Sequence, residues 1–489
     1  MQQISQSGVP ATSGLAAPGR WERGAWPSAG AVLLAETAAV AAGLGTAAAG
    51  GPHWAAAAAA LAAGGAALTR RRGTSLAELA GDRLRRRTAQ HVTVASAPYP
   101  GGGDIGVRRE SGLLTAVLRI TPPAPRLITP QRRDAPSVPL AALAGLLRHG
   151  DTPAARIDVL VNGGRAPSGA ERPRGRYQNL TGPITAWAVA DVRIAITIDP
   201  VDCAGALARR GGDELRVAAI AAQRLADVLA GEGVPSTPVT ARDTGPGPST
   251  PPDGAVPADP DRLADGDIDH LIAAAASVGT AAISLRRGAG DDVRVGAWLC
   301  APDADPGRPL RGDHNAAGTV PSLRRFHQPL AGCGQLVGAD ATGGPVTVRL
   351  HGPGVRTVWA AVADDPARQL VERAVATGAR VLLVTGRPAM WEPLVSWTGS
   401  PENLWISGWR YPPEPHLSVL SPADYTVTVL DGTAAGLQPG SVEPAGTVWR
   451  IETAGISPVT EADVVLSQPQ PGMLTVRTDG GAATVRLVA

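Results

Sequence analysis

The chain has 489 residues, enough for two or three domains, and a formal net charge of only +2, so no overall field selects nucleic acid as a partner. Its 45 basic residues are all arginine in a composition rich in Ala, Gly and Pro, which makes a local Arg cluster a weak pointer to phosphate. Cys203, Cys300 and Cys333 share neither metal-ligand nor disulfide spacing, and the scarcity of aromatics other than Trp argues against base-stacking platforms.

Residues 1–25 form a polar lead. An Ala-rich apolar run over 26–69 follows, broken by Gly50, Gly51 and Pro52 and closed by Arg70, Arg71 and Arg72. A spanning helix needs about 20 mainly apolar residues. Residues 28–49 meet that length and 52–69 lie near its lower bound, so 26–72 is predicted as a two-helix transmembrane hairpin with close Ala and Gly faces. Arginines flank both ends and none lies in the turn, which puts both ends in the cytoplasm. The run is too long for a secretory signal; an Ala-rich helical pair buried in a soluble protein is the competing reading. Glu36 would lie about 12 Å into the first span, where a carboxyl costs a few kcal/mol unless protonated, paired or facing protein. It is the candidate intramembrane partner contact.

Residues 73–90 read as a basic juxtamembrane helix, with Arg83, Arg85, Arg86 and Arg87. Strand patterns begin at 91: 91–95 and 105–107 around a Gly-rich turn, then 113–120 returning. No helix start and no Lys-Ser/Thr follows the glycines of 101–106, so they make a turn rather than a phosphate loop. A helix over 140–147, a strand over 157–161, an Arg- and Gly-rich loop over 162–176, a strand over 189–199 and a helix over 213–230 complete a first α/β segment, 91–239. Residues 240–262 are a Gly/Pro-rich linker or loop. A second α/β segment, 263–420, holds predicted strands at 280–285, 293–299, 346–350 and 356–362, a helix over 366–377 and an apolar strand over 381–384. Residues 421–489 show strands only and are predicted as a small antiparallel β-rich tail. The expected fold is therefore α/β, a mixed sheet with flanking helices, behind a transmembrane hairpin.

Four Asp-x-Asp pairs occur, at Asp259/Asp261, Asp265/Asp267, Asp267/Asp269 and Asp303/Asp305. Such pairs hold a divalent cation in some transferases, but Asp-rich loops produce them by composition, and none is taken as a metal site. Asp364 and Asp365 follow a predicted strand; with Pro366 next, they read as helix-capping residues. Arg387 leaves the 381–384 strand where open α/β sheets place ligands; it is placed to meet a phosphate or a carboxylate, or belongs to a turn. No nucleophile elbow, Walker sequence, kinase set or metalloprotease helix is present, so no catalytic residue, cofactor site or metal site is predicted.

The YQNLTGP run at 177–183, the strand running to Asp199 and Pro200, Arg209-Arg210-Gly211-Gly212 with its Ala-rich helix, and the strand and turn over 381–391 together resemble EccE. EccE is a membrane component of the actinobacterial type VII (ESX) secretion apparatus, and the apolar hairpin with its Arg-rich exit adds to the likeness. The resemblance implies a non-enzymatic scaffold subunit of a plasma-membrane complex, multi-pass with N and C termini cytoplasmic. Its implied partners are EccB, an EccC-type ATPase, EccD and the lipid bilayer, with no nucleic acid; no catalytic residue is carried over. The alternative is a membrane-tethered α/β enzyme such as a glycosyltransferase-like transferase, which fold analogy leaves open. A deep pocket at the strand ends near Asp364 and Thr385, with carboxylates converging on a metal, would mark it.

Overall fold

The computed structural model describes parts of 39–75, then residues 92–129, 136–148, 150–181, 187–244, 256–258, 279–288, 292–300, 316–319, 323, 328–407, 422–432, 446–453, 456 and 461–488. The chain divides into two compact units, Met1–Thr88 and Ala89–Ala489.

In the first unit, the described helical residues fall within 39–48 and 54–62, either side of a turn at Ala49 and Gly50. Among the described residues no helix is long and apolar enough to cross a membrane. The expected transmembrane hairpin over 26–72, and the multi-pass topology that depended on it, are thereby corrected. Ala explains the misreading: it lengthens an apolar run while contributing little hydrophobic drive. The chain then turns extended, as β1 (Arg70–Arg71) pairs antiparallel with β2 (Thr74–Ser75). A basic helix over 73–90 is therefore not what occupies Thr74 and Ser75; the remainder of that span, like Glu36, lies outside the described residues.

The second unit opens with a sheet that is antiparallel throughout. Its strands are β3 (Thr93–Pro98), β4 (Asp104–Glu110), β5 (Leu113–Ile120), β6 (Ala154–Gly164), β7 (Val189–Ile198), β8 (Ser236–Pro238), β9 (Val256–Ala258), β10 (Gly279–Arg287), β11 (Asp292–Cys300) and β12 (Ala316–Thr319). The spatial order is β12-β11-β10-β6-β7-β5-β4-β3, with β8 on β5 and β9 on β11. Period-two alternation sets its faces. Val192, Ile194, Ile196 and Ile198 of β7 join the main core, while Thr197 on the other face hydrogen-bonds Thr115 at 2.9 Å.

Among the described residues three helices accompany this sheet: α1 (Leu140–Gly145), α3 (Ala204–Arg209) and α4 (Glu214–Gly231), with α2 (Glu171–Thr181) lying between α1 and α3 in the chain. Asp213 caps α4 by accepting from the Arg216 amide at 3.0 Å. Val217, Ala218, Ala221, Ala222, Leu225 and Leu229 recur at helical spacing and bury one stripe of α4 against β3, β5 and β7.

A second sheet is built from β13 (Gln335–Ala339), β14 (Pro345–Val348), β15 (Thr357–Ala361), β16 (Val381–Thr385), β17 (Leu404–Ile406), β18 (Val427–Asp431), β19 (Thr447–Glu452), β20 (Val464–Ser467), β21 (Met473–Thr478) and β22 (Gly481–Arg486). Its order is β14-β13-β22-β21-β20-β15-β19-β18-β16-β17. From β20 to β17 all neighbours are parallel; from β20 to β14 they are antiparallel. The expected mixed α/β class is found, but a separate β-rich tail over 421–489 is not. β18 and β19 insert between β16 and β15, parallel to both. Apolar runs such as VTVL and VVLS, with little alternation, suit strands covered on both faces.

Helices α5 (Asp364–Ala376) and α6 (Pro388–Thr398) cover one face of this sheet, with Leu370, Val371, Ala374 and Trp391 in its core. Gly399, at φ +64°, ends α6 in the left-handed conformation that glycine adopts without a Cβ clash. α2 is the joint between the two halves. It belongs to the β6–β7 connection of the first sheet, yet it packs on α5 and α6 of the second.

Candidate functional site

The carboxyl ends of β15, β16 and β18, with the N-termini of α5 and α6, bring together the polar residues that the sequence singled out. Arg387, immediately before α6, donates to Asp364 at 3.0 Å and to Asp431 at 2.5 Å. The second oxygen of Asp431 accepts from Thr385 Oγ1 at 2.7 Å and Trp391 Nε1 at 2.8 Å. Thr385 Oγ1 in turn accepts from the Arg387 amide at 2.9 Å, which closes the ring. Asp431 and Trp391 are buried, whereas the Arg387 side chain is 47% exposed. Burial opposes ionisation of Asp431, but hydrogen bonds from Arg387, Trp391 and Thr385 and the guanidinium charge outweigh it and hold the carboxyl below its usual range. The same carboxylates raise the Arg387 guanidinium above its ordinary value, the Asp431 hydrogen bond most.

Both oxygens of Asp431 are engaged within the chain. Three donors fill most of this carboxylate's lone-pair sites. The two carboxylates converge as a metal-dependent transferase would require, but the group between them is a guanidinium. Among the described residues no three His, Cys, Asp or Glu side chains come together as a metal site.

Asp364 and Asp365 do not cap α5. The N-cap is Ala363, without a side-chain bond, and both aspartates occupy the first helical turn, where a negative charge suits the helix dipole. Asp365 pairs with Arg368 one turn on. Arg387 proves to be a carboxylate partner rather than a turn residue alone. Asp431 was missed by sequence reasoning. Its only signal was an acid closing an apolar strand just before Gly432. The Asp-x-Asp pairs at Asp259/Asp261, Asp265/Asp267, Asp267/Asp269 and Asp303/Asp305 lie outside the described residues.

A second polar centre lies between α2 and α5. A cavity of about 400 Å³ is lined by Arg176, Tyr177, Asn179, Gln369, Glu372 and Arg373, among others. On its buried side Tyr177 Oη accepts from the Leu336 amide at 2.9 Å, and Arg373 Nη1 donates to the Leu336 carbonyl at 3.1 Å. Two side chains from different halves of the fold thus hold one residue of β13. Burial raises the Tyr177 hydroxyl and the Glu372 carboxyl and lowers the Arg373 guanidinium. Glu372 keeps one arginine partner, Arg176 at 3.3 Å, which also faces the Trp397 ring at 6.0 Å. Tyr177→Phe is expected to cost about 1–2 kcal/mol, because the Leu336 N–H is left buried without an acceptor. Urea unfolding of the two proteins measures it; an unchanged midpoint would show the amide to be rescued by another group.

Two sheets stitched by a shared helix, with a buried carboxylate network at the strand ends of the second, define a mixed α/β protein. Residues 186–246 match the family model described as "EccE: Putative type VII ESX secretion system translocon, EccE". The resemblance read from the sequence is borne out over this segment, and with it the coarse assignment to a type VII secretion system. The match takes in β7, α3, α4 and β8; the runs at 177–183 and 381–391 fall outside it. The curated proteins give no match.

Proposed function

We propose that the chain is a non-enzymatic scaffold subunit of the type VII secretion membrane complex, associated with EccB, an EccC-type ATPase and EccD. The observation that carries this reading is the EccE match over 186–246, which falls on the central strand and principal helix of the first sheet. The self-contained network around Asp431 supports the non-enzymatic part, since its donors and acceptors are used on one another. The α2 joint supports the scaffold part: a platform that transmits position between subunits needs its halves locked together. Gentle detergent extraction followed by pull-down and mass spectrometry tests the proposal. Co-purification of the EccC-type ATPase is expected. A clean monomer that hydrolyses nucleotide sugars would overturn it.

A further inference from the structure

A surface cluster outside both polar centres is built on one carboxylate. Asp151, in the connection from α1 to β6, accepts from Arg209 at 3.1 Å, Arg210 at 3.0 Å and Arg224 at 3.1 Å. Arg224 also donates to Thr152 Oγ1 at 2.9 Å, and Arg210 to the Ala206 carbonyl at 3.1 Å. Gly150 makes the convergence possible. Its φ is +96°, and a Cβ there would sit 1.9 Å from Arg224 Nη2. Hydrogen bonding to Arg210 first of all, set against burial, holds the Asp151 carboxyl below its ordinary range.

Three guanidiniums on one carboxylate leave two positive charges in excess. A structural ion pair needs only one of them, and holding three together works against their mutual repulsion. Asp202, whose arginine contact is Arg287 at 3.9 Å, and Asp199 lie in the same neighbourhood and reduce this excess without reversing it. The Arg209 side chain is 59% exposed and that of Arg224 35%, so both are reachable from solvent. Guanidinium forks match carboxylates in plane and spacing, and Asp151 itself shows that a carboxylate fits this set.

We propose that Arg209, Arg210 and Arg224 form a docking site for an acidic segment of a partner polypeptide, with Asp151 as the internal carboxylate that competes for their donors and gives up part of them on binding. A polypeptide carrying several carboxylates can engage the arginines through donors that Asp151 does not use. The inference goes beyond the assembly reading and does not depend on it.

Fluorescence anisotropy with a short labelled polyglutamate peptide and the full chain tests this, at low and at physiological salt. The wild type is expected to bind, more weakly as salt rises. Arg209→Ala, an exposed truncation that should leave the circular dichroism spectrum unchanged, is expected to weaken binding about tenfold. Asp151→Asn removes the internal competitor and is expected to tighten it severalfold. No binding by the wild type, equal binding by Arg209→Ala, or unchanged or weaker binding by Asp151→Asn would overturn the proposal. So would full competition by inorganic phosphate at matched ionic strength, or binding to phosphatidylserine-containing vesicles in place of the peptide. Loss of the assembly reading would show instead as an empty pull-down with peptide binding intact.

Discussion

Replacing Asp431 with Asn is expected to lower the stability of the second unit by about 3 kcal/mol. The carboxylate is buried and accepts from three side chains, and an amide offers only one acceptor oxygen in its place. A hydrogen bond to a charged group is worth about 1.5–3 kcal/mol, and a buried donor left unmatched, here Trp391 Nε1, costs about 1–3 kcal/mol. Arg387→Ala should cost less, about 1 kcal/mol, because that guanidinium is 47% exposed and solvent screens it. The asymmetry is the informative result: a surface ion pair would lose similar amounts from either side. The pH dependence has a definite sign. The folded carboxyl titrates below its unfolded value of about 3.9, so its contribution is complete above that pH and is lost as pH falls through the folded value. Urea unfolding followed by Trp fluorescence measures both variants. A midpoint for Asp431→Asn equal to the wild type would mean that the network does not hold β16, β18 and α6 together.

The part of this site that could be read from sequence follows from which signals are local. Arg387 stood out because it leaves an apolar strand of the buried, parallel kind, and the strand at Val381–Thr385 is where that pattern placed it. Asp431 comes from a strand forty-four positions later (431 − 387), and only the parallel pairing of β16 with β18 sets Thr385 opposite it. No periodicity records such a register. The order of strands was hidden for the same reason: β18 and β19 are short apolar runs between turns, which suit a separate tail as well as the middle of a sheet.

Helix α2 shows a different limit. Its sequence, ERPRGRYQNLT, carries Pro173 and Gly175 and lacks an apolar stripe, so its intrinsic preference is for loop. It is helical because Tyr177 reaches β13 and Arg172 donates to the Trp397 carbonyl at 3.0 Å, contacts with partners far along the chain. By contrast α4 was legible to within a residue at each end: the reading began the helix at Asp213, which is its N-cap, and its Ala and Leu stripe is a local signal that agrees with the tertiary outcome. In the first unit the misleading signal was composition. A long Ala-rich run meets a length criterion for spanning, whereas the described helical stretches do not.

Acidification should destabilise the second unit before the Asp431 carboxylate is protonated, and His351 is the reason. Burial, reinforced by the charge of Arg349, pushes its imidazole down to about 4. Its Nε2 lies 2.9 Å from Thr377 Oγ1, the hydroxyl that reaches the Arg373 carbonyl at 2.9 Å at the end of α5. Thr377 has one proton; when it goes to that carbonyl, Nε2 must be the donor, so the neutral ring carries its proton on Nε2. Between about pH 6.5 and about pH 4 the unfolded chain therefore takes up a proton that the folded chain refuses. Stability is complete above this window and falls by about 1.4 kcal/mol per pH unit within it, about 3 kcal/mol in all. Below about pH 4 the His351 loss is complete and the Asp431 loss takes over, so the two contributions adjoin rather than coincide. His351→Asn cannot titrate and should flatten the upper range relative to the wild type while leaving the lower one in place. Urea midpoints across both ranges decide it. Parallel profiles for the two proteins would mean that His351 is protonated in the folded state after all, and that the α5 C-terminus, which favours a cation, prevails over burial.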